Sequence, residues 1–474
     1  MALVLDDLLG LNGTSIEDMP VLQDAAHASR LLAASPNEVL SIAGMRHSQG
    51  GHTVVDHGRV LLTMAKFNRI ELPIRVVGKD WAATVKVEAG ATWSELHRVL
   101  GPLMLAPMVQ QSSAAFTIGG SLSVNCHGRD PRWGPVSASV EEITVLTASR
   151  GVLSASRTQN EELFYAALGG YSACGMILDA TLRVVDNDLL MYVGDTRTRG
   201  LDECQQRLLN LPADPDVHLH YSWLCCVPYS VYSSALITDF RKIGGPQKPG
   251  SYAEQEWGED ELLRAGWSSA RDHLLTRLLV WEELCERHLG GHGTPKRGTK
   301  GSSDNRINWL RSATSFISYR GTESAEILQE YFVPVERLEE MLARLKSIFR
   351  RGSTNVLSTT IRLVRQDAET VLSYCADGSR ACIAIEAMVP VAEDGSGRLD
   401  LSRSAKADIE SAIQAALDLK GSFYLPYFKV ADLKAFHEAY PRHALLQAAI
   451  DIYNPKQADG RHRFWNTFLD RYFD

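Results

Sequence analysis

The alternation of apolar and polar residues predicts short strands with few helices in the first part of the chain. Apolar runs at 39–42, 60–64 and 81–89 have the length of strands. Thr92-Trp93-Ser94-Glu95 is a capping box, which predicts that a helix begins there and ends at Gly101-Pro102. Leu22 to Ala34 has a helical pattern and is followed by Ser35-Pro36.

The next stretch predicts a hairpin, a helix and a strand. Residues 141–146 and 151–156 are the two arms of the hairpin, and 175–184 reads as the strand. Asn160 is a predicted helix cap for Glu161 to Leu168.

The second half predicts an antiparallel sheet with helices on one face. Pro334 is predicted to begin an amphipathic helix that ends at Gly352, with strands at 327–333, 356–364 and 381–388 around it. Asp260 to Arg287 is helical in pattern. The predicted fold class is therefore α+β.

Length and composition limit the possible functions. A chain of 474 residues exceeds the size of one growing core, so we divide it into segments 1–186, 187–410 and 411–474. The net charge of −8 argues against nucleic acid as a partner. No apolar run approaches the roughly 20 residues of a membrane span. Eight cysteines without a Cys-x-x-Cys pair, and no basic region before the apolar N-terminal residues, predict a cytoplasmic protein.

The clearest candidate for chemistry is the loop from Ala43 to His52, which follows a predicted strand and contains glycines and two histidines. Glycines let the backbone approach an anion closely, and successive N–H groups then converge on it. Taken alone, such a loop is more often a turn with a satisfied histidine than a cofactor site. The sequence contains no Walker loop and no Gly-x-Gly-x-x-Gly, His-Glu-x-x-His or Gly-x-Ser-x-Gly motif. None of these motifs therefore indicates a different kind of site.

Ala-Gly-Met-Arg-His-Ser at 43–48 resembles the pyrophosphate loop of the vanillyl-alcohol oxidase / p-cresol methylhydroxylase family of FAD enzymes. The run at 117–123 is similar to the small-residue segment that lies against FAD in that family, and Gly175-Met176-Ile177 is similar to its final strand. The resemblance covers 37–186 and implies a two-lobed FAD-binding domain with an α+β cap domain that contains an antiparallel sheet. Segment 187–410 would be the cap, and 411–474 would close the FAD domain. The implied FAD-binding residues are Gly44, Met45, Arg46, His47, Ser48, Gln49, Thr117, Gly119, Gly120, Ser123, Cys126, Gly175 and Ile177.

The resemblance also implies a covalent flavin. In many members the histidine of a Gly-x-x-His-Ser loop is linked to the flavin 8α-methyl carbon, and His47 holds that position. His52 is the competing attachment site and ranks below it. Cys126 follows the Gly-Gly pair, so we interpret it as a small packing residue near the flavin whose bulk could hinder O2.

One departure from the family concerns the substrate. Cytokinin dehydrogenases carry an aspartate seven residues before the first glycine of Gly-Gly, where this chain has Ser112. This argues against cytokinin. Alditol and aldonolactone oxidases can carry a serine there that bonds a substrate hydroxyl. Ordinary loop polarity is an equally good interpretation of Ser112.

In the cap the resemblance is weaker. Residues 327–334 are similar to a strand of sugar and alditol oxidases, including the decaprenylphosphoryl-ribose type, that presents alternate side chains to the substrate. Gln329 and Tyr331 would share that face. Thr359-Thr360-Ile361-Arg362 resembles their Glu-Ile-Arg strand, which makes Arg362 a candidate to position a substrate oxygen. Lys429 is a candidate to polarise the hydroxyl, although solvation at the surface is the more frequent role of such a lysine.

The sequence thus predicts an FAD-dependent oxidoreductase that oxidises a CH–OH group by hydride transfer to flavin N5. Its partners would be a small-molecule substrate, such as a sugar, alditol, lactone or natural product, and O2 or another electron acceptor. The alternatives are oxidative ring closure or C–N oxidation in secondary metabolism, and a relative that only binds a ligand.

Overall fold

The computed structural model describes residues 3–5, 11, 14–16, 18–34, 38–52, 60–198, 200–246, 278, 281–282, 285, 300–310, 323–393 and 399–473. The helix predicted over 260–287 lies almost entirely outside the described residues, so it stays a prediction.

The first lobe begins with two small sheets, one of which leads into the glycine-rich loop. β1 (Leu3–Leu5) and β2 (Thr14–Ile16) are antiparallel, whereas β3 (Leu40–Ala43) and β4 (Val60–Thr63) are parallel. Helix α1 (Ala25–Ala34) precedes β3. Leu40 and Ala43 are buried, so the loop that follows leaves from a fixed strand.

A sheet of six strands forms the rest of this lobe, in the order β5-β6-β10-β8-β9 with β7 beside β10. All its pairings are antiparallel, and β8 with β9 is the predicted hairpin. The capping box is present, and both of its hydrogen bonds form between Thr92 and Glu95. The elements are β5 (Ile74–Arg75), β6 (Ala83–Glu88), α2 (Trp93–Leu100), β7 (Leu105–Pro107), α3 (Ile118–Ser123), β8 (Val140–Thr147), β9 (Gly151–Ser156), α4 (Glu161–Ala167) and β10 (Met176–Asp186).

The second lobe is built on a nine-stranded antiparallel sheet in the order β14-β11-β13-β12-β16-β17-β15-β19, with β18 beside β17. Helices α5, α7 and α8 cover one face of it. The elements are β11 (Leu189–Arg197), α5 (Asp202–Asn210), β12 (Val217–Leu224), β13 (Ala235–Gly244), β14 (Ser303–Asn305), α6 (Arg306–Leu310), β15 (Ser324–Pro334), α7 (Leu338–Arg351), β16 (Asn355–Val364), β17 (Arg380–Glu393), β18 (Leu399–Leu401), α8 (Arg403–Asp418) and β19 (Ser422–Phe423).

The last part of the chain returns to the first lobe through α9 (Leu433–Ala439), α10 (His443–Tyr453) and α11 (Thr467–Tyr472). The backbone N–H of Trp465 donates to the carbonyl of Leu40 at 2.9 Å, which places the chain beside β3. The Thr467 hydroxyl donates to the carbonyl of Gly51 at 2.9 Å. The glycine-rich loop is therefore held at both of its ends by the final residues.

The predicted α+β class is confirmed, with one correction to an element boundary. Pro334 is the last residue of β15 and does not begin the amphipathic helix, because a short 3-10 turn at Val335–Arg337 intervenes before α7. Among the described residues, no helix is long and apolar enough to span a membrane.

Candidate functional site

The glycine-rich loop packs against the start of the small-residue run. A Cβ atom on Gly44 would lie 2.3 Å from the Thr117 hydroxyl, so any larger residue there would force Thr117 to move. The Thr117 hydroxyl accepts a hydrogen bond from the Gly120 N–H at 3.2 Å. Thr117 is thereby the N-terminal cap of α3. Arg46 has a φ of 55°, a left-handed conformation that reverses the chain within the loop. Two segments that lie far apart in sequence thus pack directly against each other.

The two histidines of the loop have different environments. His47 is half-buried, and its ring packs edge-on against Phe116 with centroids 4.5 Å apart. Burial lowers the pKa of His47. His52 is buried, its Nε2 lies 2.9 Å from the carbonyl of Leu425, and burial together with the charge of Lys429 lowers its pKa to about 3.

The small-residue run that begins at Thr117 is packed tightly against the six-stranded sheet. A Cβ on Gly119 would lie 2.6 Å from the Cβ of Ala89, and the Trp93 indole N–H donates to the Ser121 hydroxyl at 2.9 Å. Cys126 is buried, and burial raises the pKa of its thiol to about 12, so the thiol is neutral. Its placement agrees with a packing role.

The strand predicted to follow this run begins with a second glycine that no other residue could replace easily. Gly175 has a φ of 143°, and a Cβ there would lie 2.4 Å from the carbonyl of Leu146. Ile177, which follows in β10, is buried. Ser123 and Ser172 lie with their hydroxyls 3.5 Å apart.

The segment after β19 lies on the glycine-rich loop. The Gln49 backbone N–H donates to the carbonyl of Pro426 at 3.1 Å, and a Cβ on Gly50 would lie 2.5 Å from the carbonyl of Tyr427. Lys429 acts electrostatically on His52. The structure therefore brings Lys429 to the edge of the predicted cofactor loop.

One face of the nine-stranded sheet lies toward this loop, because Tyr427, which packs on Gly50, donates its hydroxyl to the Glu330 side chain on that face at 2.9 Å. At the edge of β15, the Leu328 backbone N–H donates to the Gln49 side chain at 2.8 Å. Strand register places Trp223, Thr360, Ala384 and Glu330 in one row across four strands, because paired residues point to the same face. The adjacent row on this face contains Arg362, Cys382 and Phe332, and the row on the other side contains Ser358, Glu386 and Leu328.

Exposure within the sheet marks a place where a small molecule could bind. The interior residues of the central strands are mostly buried, yet Tyr221, Trp223, Thr360, Arg362 and Glu386 are half-exposed. All of them lie on the face that meets the loop. The combination of half-exposed aromatic, hydroxyl and charged side chains is typical of a small-molecule site.

A buried polar cluster lies at the side of this open area. Glu330 accepts a hydrogen bond from His127 Nε2 at 2.7 Å and one from the Tyr427 hydroxyl at 2.9 Å. Burial alone would raise the pKa of Glu330, but the charge and hydrogen bond of His127 and the charge of Arg362 outweigh it and lower the pKa. Glu330 is therefore an ionised carboxylate in the interior.

The residues predicted to bind the substrate divide between the two faces of the sheet. Arg362 lies on the face that meets the loop, and its Nε is buried without a hydrogen-bond partner among the described residues. Gln329 and Tyr331 share a face as expected, but it is the opposite one, where burial and the charge of Asp408 on α8 raise the pKa of Tyr331. The structure does not bring these two residues together with Arg362. Ser112 is half-buried beside the small-residue run.

Sequence reasoning missed Glu330, His127 and Tyr427. Glu330 lies between the two predicted residues of β15, so the same period of two would have found it from the other phase. His127 directly follows Cys126 at the end of the small-residue run. That position was the available signal.

The loop fits the pyrophosphate of FAD. Its Ser48 hydroxyl is buried and has no hydrogen-bond partner among the residues that the structure describes, so a ligand oxygen would satisfy it. Glycine stands at the close approach to Thr117, and Arg46 has the left-handed conformation found where successive backbone N–H groups form an anion site. Fold and loop together define a two-lobed flavin-binding protein.

Comparison with known proteins identifies the class. Residues 23–156 match the family model of an FAD binding domain. The chain is 32% identical over 174 residues to cytokinin dehydrogenase 8 of Oryza sativa subsp. indica, which covers 35% of this chain and 32% of that protein. It is 28% identical over 149 residues to D-arabinono-1,4-lactone oxidase of Candida glabrata. The aligned region covers 31% of this chain and 28% of that protein. The chain thus spans less than half of the length of these relatives.

A solved structure shows the same fold over the whole chain. A solvent-stable cholesterol oxidase superposes with a TM-score of 0.69 and 14% sequence identity, which covers 99% of this chain and 97% of that one. The predicted resemblance to FAD enzymes is confirmed by the family match. Residues 23–156 are an FAD-binding domain, the cofactor is FAD, and the relatives are named as a dehydrogenase and an oxidase.

Proposed function

We propose that the protein oxidises a CH–OH group of a small polar substrate such as a sugar, alditol, lactone or hydroxylated natural product. The observation that carries this proposal is the half-exposed group of Thr360, Arg362 and Trp223 on the sheet face that meets the glycine-rich loop. Hydroxyl and guanidinium groups there would bind substrate oxygens, and the indole would lie against a carbon framework. The name of the related D-arabinono-1,4-lactone oxidase gives that enzyme a hydroxylated substrate, which supports the same class.

Arg362 would hold the reacting oxygen. Its guanidinium is always charged, and an oxygen that gains negative charge as its proton leaves is stabilised by a fixed positive group. FAD, when bound, supplies the two-electron acceptor at N5 and is re-oxidised by O2 or another acceptor. Ser112 would add a hydroxyl from the first lobe, and Lys429 a second cation at the far edge. Gln329 and Tyr331, on the opposite face, would support the strand and not the substrate.

We also infer that FAD is attached covalently through His47 and not through His52. The neutral imidazole is the nucleophilic form, and burial lowers the pKa of His47 while its ring stays half-exposed. His52 is 7% exposed, and its Nε2 is bound to the carbonyl of Leu425. A cytoplasmic location remains part of this proposal. It rests on the eight cysteines, none of which forms a disulfide with another described residue.

Acid precipitation of the purified protein tests the attachment. The pellet of the wild-type protein should be yellow, that of His47→Ala colourless, and that of the matched control His52→Ala yellow. A yellow His47→Ala pellet would place the link elsewhere.

Anaerobic bleaching of the flavin absorbance tests the reaction. A panel of sugars, alditols, lactones and steroid or aromatic alcohols should contain at least one polar alcohol that bleaches the wild-type protein. A protein that is bleached only by amines, or by none of the panel, contradicts CH–OH oxidation.

A further inference from the structure

Two arginines flank one half-exposed aromatic ring on the sheet face that meets the glycine-rich loop. Along β12, Tyr221 comes directly before Ser222, which is paired with Ile361 of β16. Tyr221 therefore lies beside Arg362 on this face. The guanidinium of Arg129 lies over the Tyr221 ring, 5.7 Å from its centroid. The first lobe thus supplies one guanidinium and the sheet supplies the other.

Neither guanidinium has a carboxylate partner among the residues that the structure describes. Arg129 donates a hydrogen bond to the backbone carbonyl of Trp309, and the buried Nε of Arg362 has no hydrogen-bond partner in the described part of the chain. Both arginines are half-exposed, so neither is sealed inside a core. Two neighbouring positive groups are left to be balanced by something else.

The carboxylates of this region are engaged elsewhere. Asp130, which follows Arg129 in the chain, forms an ion pair with Arg306 at 2.8 Å. The two oxygens of Glu330 accept the hydrogen bonds of the buried polar cluster described above. Glu386 lies two rows away from Arg362 along the sheet face.

Electrostatics give a reason for an anion at this place. Burial lowers the pKa of Arg129 to about 10, and the charges of Arg362 and Arg306 act in the same direction. The guanidinium is still charged at neutral pH, so the two neighbouring groups repel each other. An anion between them would remove this repulsion. The planar fork of N–H donors in arginine also matches the oxygens of carboxylate and phosphate groups.

We propose that Arg129 and Arg362 form an anion subsite, and that the substrate carries a carboxylate or phosphate group near the carbon that is oxidised. Arg362 has five N–H donors, which are enough for the reacting oxygen and for one oxygen of the anionic group. Tyr221 and Trp223 would lie against the carbon framework. The substrate class rests on the proposed function, whereas the anion subsite belongs to the protein alone.

Calorimetric titration of the full-length flavoprotein with inorganic phosphate, at constant ionic strength, tests the subsite without turnover. The wild type should bind one phosphate per chain, and Arg129→Met and Arg362→Met should each weaken the binding at least about 10-fold. Arg129→Lys keeps the charge but loses the fork, so it should weaken the binding less than Arg129→Met does. A wild type without saturable phosphate binding, or binding that none of these variants weakens, overturns the subsite.

Lysine variants keep the test decisive if a methionine variant does not fold. Arg129→Lys and Arg362→Lys retain both charges but cannot form two parallel hydrogen bonds to one anion. At least one of them should bind phosphate several-fold more weakly than the wild type. Wild-type affinity in both lysine variants would then count against the subsite.

Arg183 supplies the matched control. Its guanidinium also lies over an aromatic ring, 4.2 Å from the centroid of Trp81, but it is paired with Glu141 at 2.6 Å. Arg183→Met removes the same charge from a stacked arginine and should leave phosphate binding unchanged. An equal loss in Arg183→Met would mean that net charge is the cause, which contradicts a subsite at Arg129 and Arg362.

Matched alcohols test the substrate class by anaerobic reduction of the flavin. Gluconate and sorbitol share a chain of hydroxyl groups, but gluconate ends in a carboxylate, and sorbitol 6-phosphate adds a phosphate to the same chain. One of the two anions should react at least about 10-fold faster than sorbitol at equal low concentration, and Arg129→Met should abolish that advantage. A preference for gluconate identifies a carboxylate, and a preference for sorbitol 6-phosphate identifies a phosphate.

The two levels of the proposal fail in different ways. A wild-type flavin that is reduced only by neutral alcohols, or equally fast by neutral and charged ones, overturns the substrate class. If no alcohol of either kind reduces it, the proposed function fails, while the phosphate titration still decides whether Arg129 and Arg362 bind an anion.

Discussion

Gly44 offers a quantitative test of the cofactor loop, because its cost of substitution depends on one identified contact. In Gly44→Ala the new methyl group would lie 2.3 Å from the Thr117 hydroxyl, about 1 Å too close. Thr117 then has to rotate, and its hydroxyl loses the hydrogen bond that it accepts from the Gly120 N–H at 3.2 Å. Loss of such a cap costs about 1 kcal/mol, and the remaining overpacking costs about 1–2 kcal/mol. We expect a total loss of about 2–3 kcal/mol in the free energy of unfolding.

A double-mutant cycle isolates this contact. Thr117→Ala removes the colliding atom, so it should cost about 1 kcal/mol by itself and little more when combined with Gly44→Ala. Urea unfolding followed by tryptophan fluorescence measures the loss at equal flavin content, and Trp93 beside α3 reports on this region. Gly245→Ala is the control, because a Cβ there meets nothing within 4 Å. Additive losses in the double variant, or a Gly44→Ala protein as stable as Gly245→Ala, would refute the reasoning.

Two further predictions concern buried ionisable groups. The pKa of His52 is about 3 in the folded protein and 6.5 in the unfolded chain, so the unfolded chain binds more protons between these values and stability falls as the pH drops. The loss is about 2.7 kcal/mol near pH 4.5, and urea unfolding of His52→Gln should show a correspondingly flatter pH profile. The second prediction concerns Arg306, which forms a buried ion pair with Asp130 at 2.8 Å. Arg306→Met should cost about 3 kcal/mol and exposed Arg344→Met less than about 1 kcal/mol, whereas equal losses would mean that burial of the pair has no effect.

The cofactor loop could be predicted from sequence because its motif is short and contiguous. Gly44 stands in a loop that follows a recognisable strand, although the residue that makes glycine necessary there, Thr117, is distant in sequence. The capping box of Thr92 and Glu95 is equally local, and both of its hydrogen bonds form. Such a motif needs no knowledge of distant residues.

The substrate half could not be predicted to the same depth. On β15, Leu328, Glu330 and Phe332 form one face and Gln329 and Tyr331 part of the other, so both faces mix polar and apolar side chains. The alternation therefore predicted that side chains two residues apart share a face, but not which face of the strand lies toward the first lobe. The hydrogen bond of Glu330 to His127 joins residues 203 positions apart, which no local pattern indicates.

The attachment of the final residues to β3 has a consequence for biogenesis. Leu40 forms backbone hydrogen bonds with both Arg463 and Trp465, and Asn466 donates to the carbonyl of Tyr171 at 2.6 Å. During synthesis, a nascent chain that has emerged only as far as the second lobe lacks these contacts. We therefore expect the flavin to be retained only once residues 463–466 have been synthesised and have docked, and a truncation before residue 463 to leave first-lobe material unable to retain it.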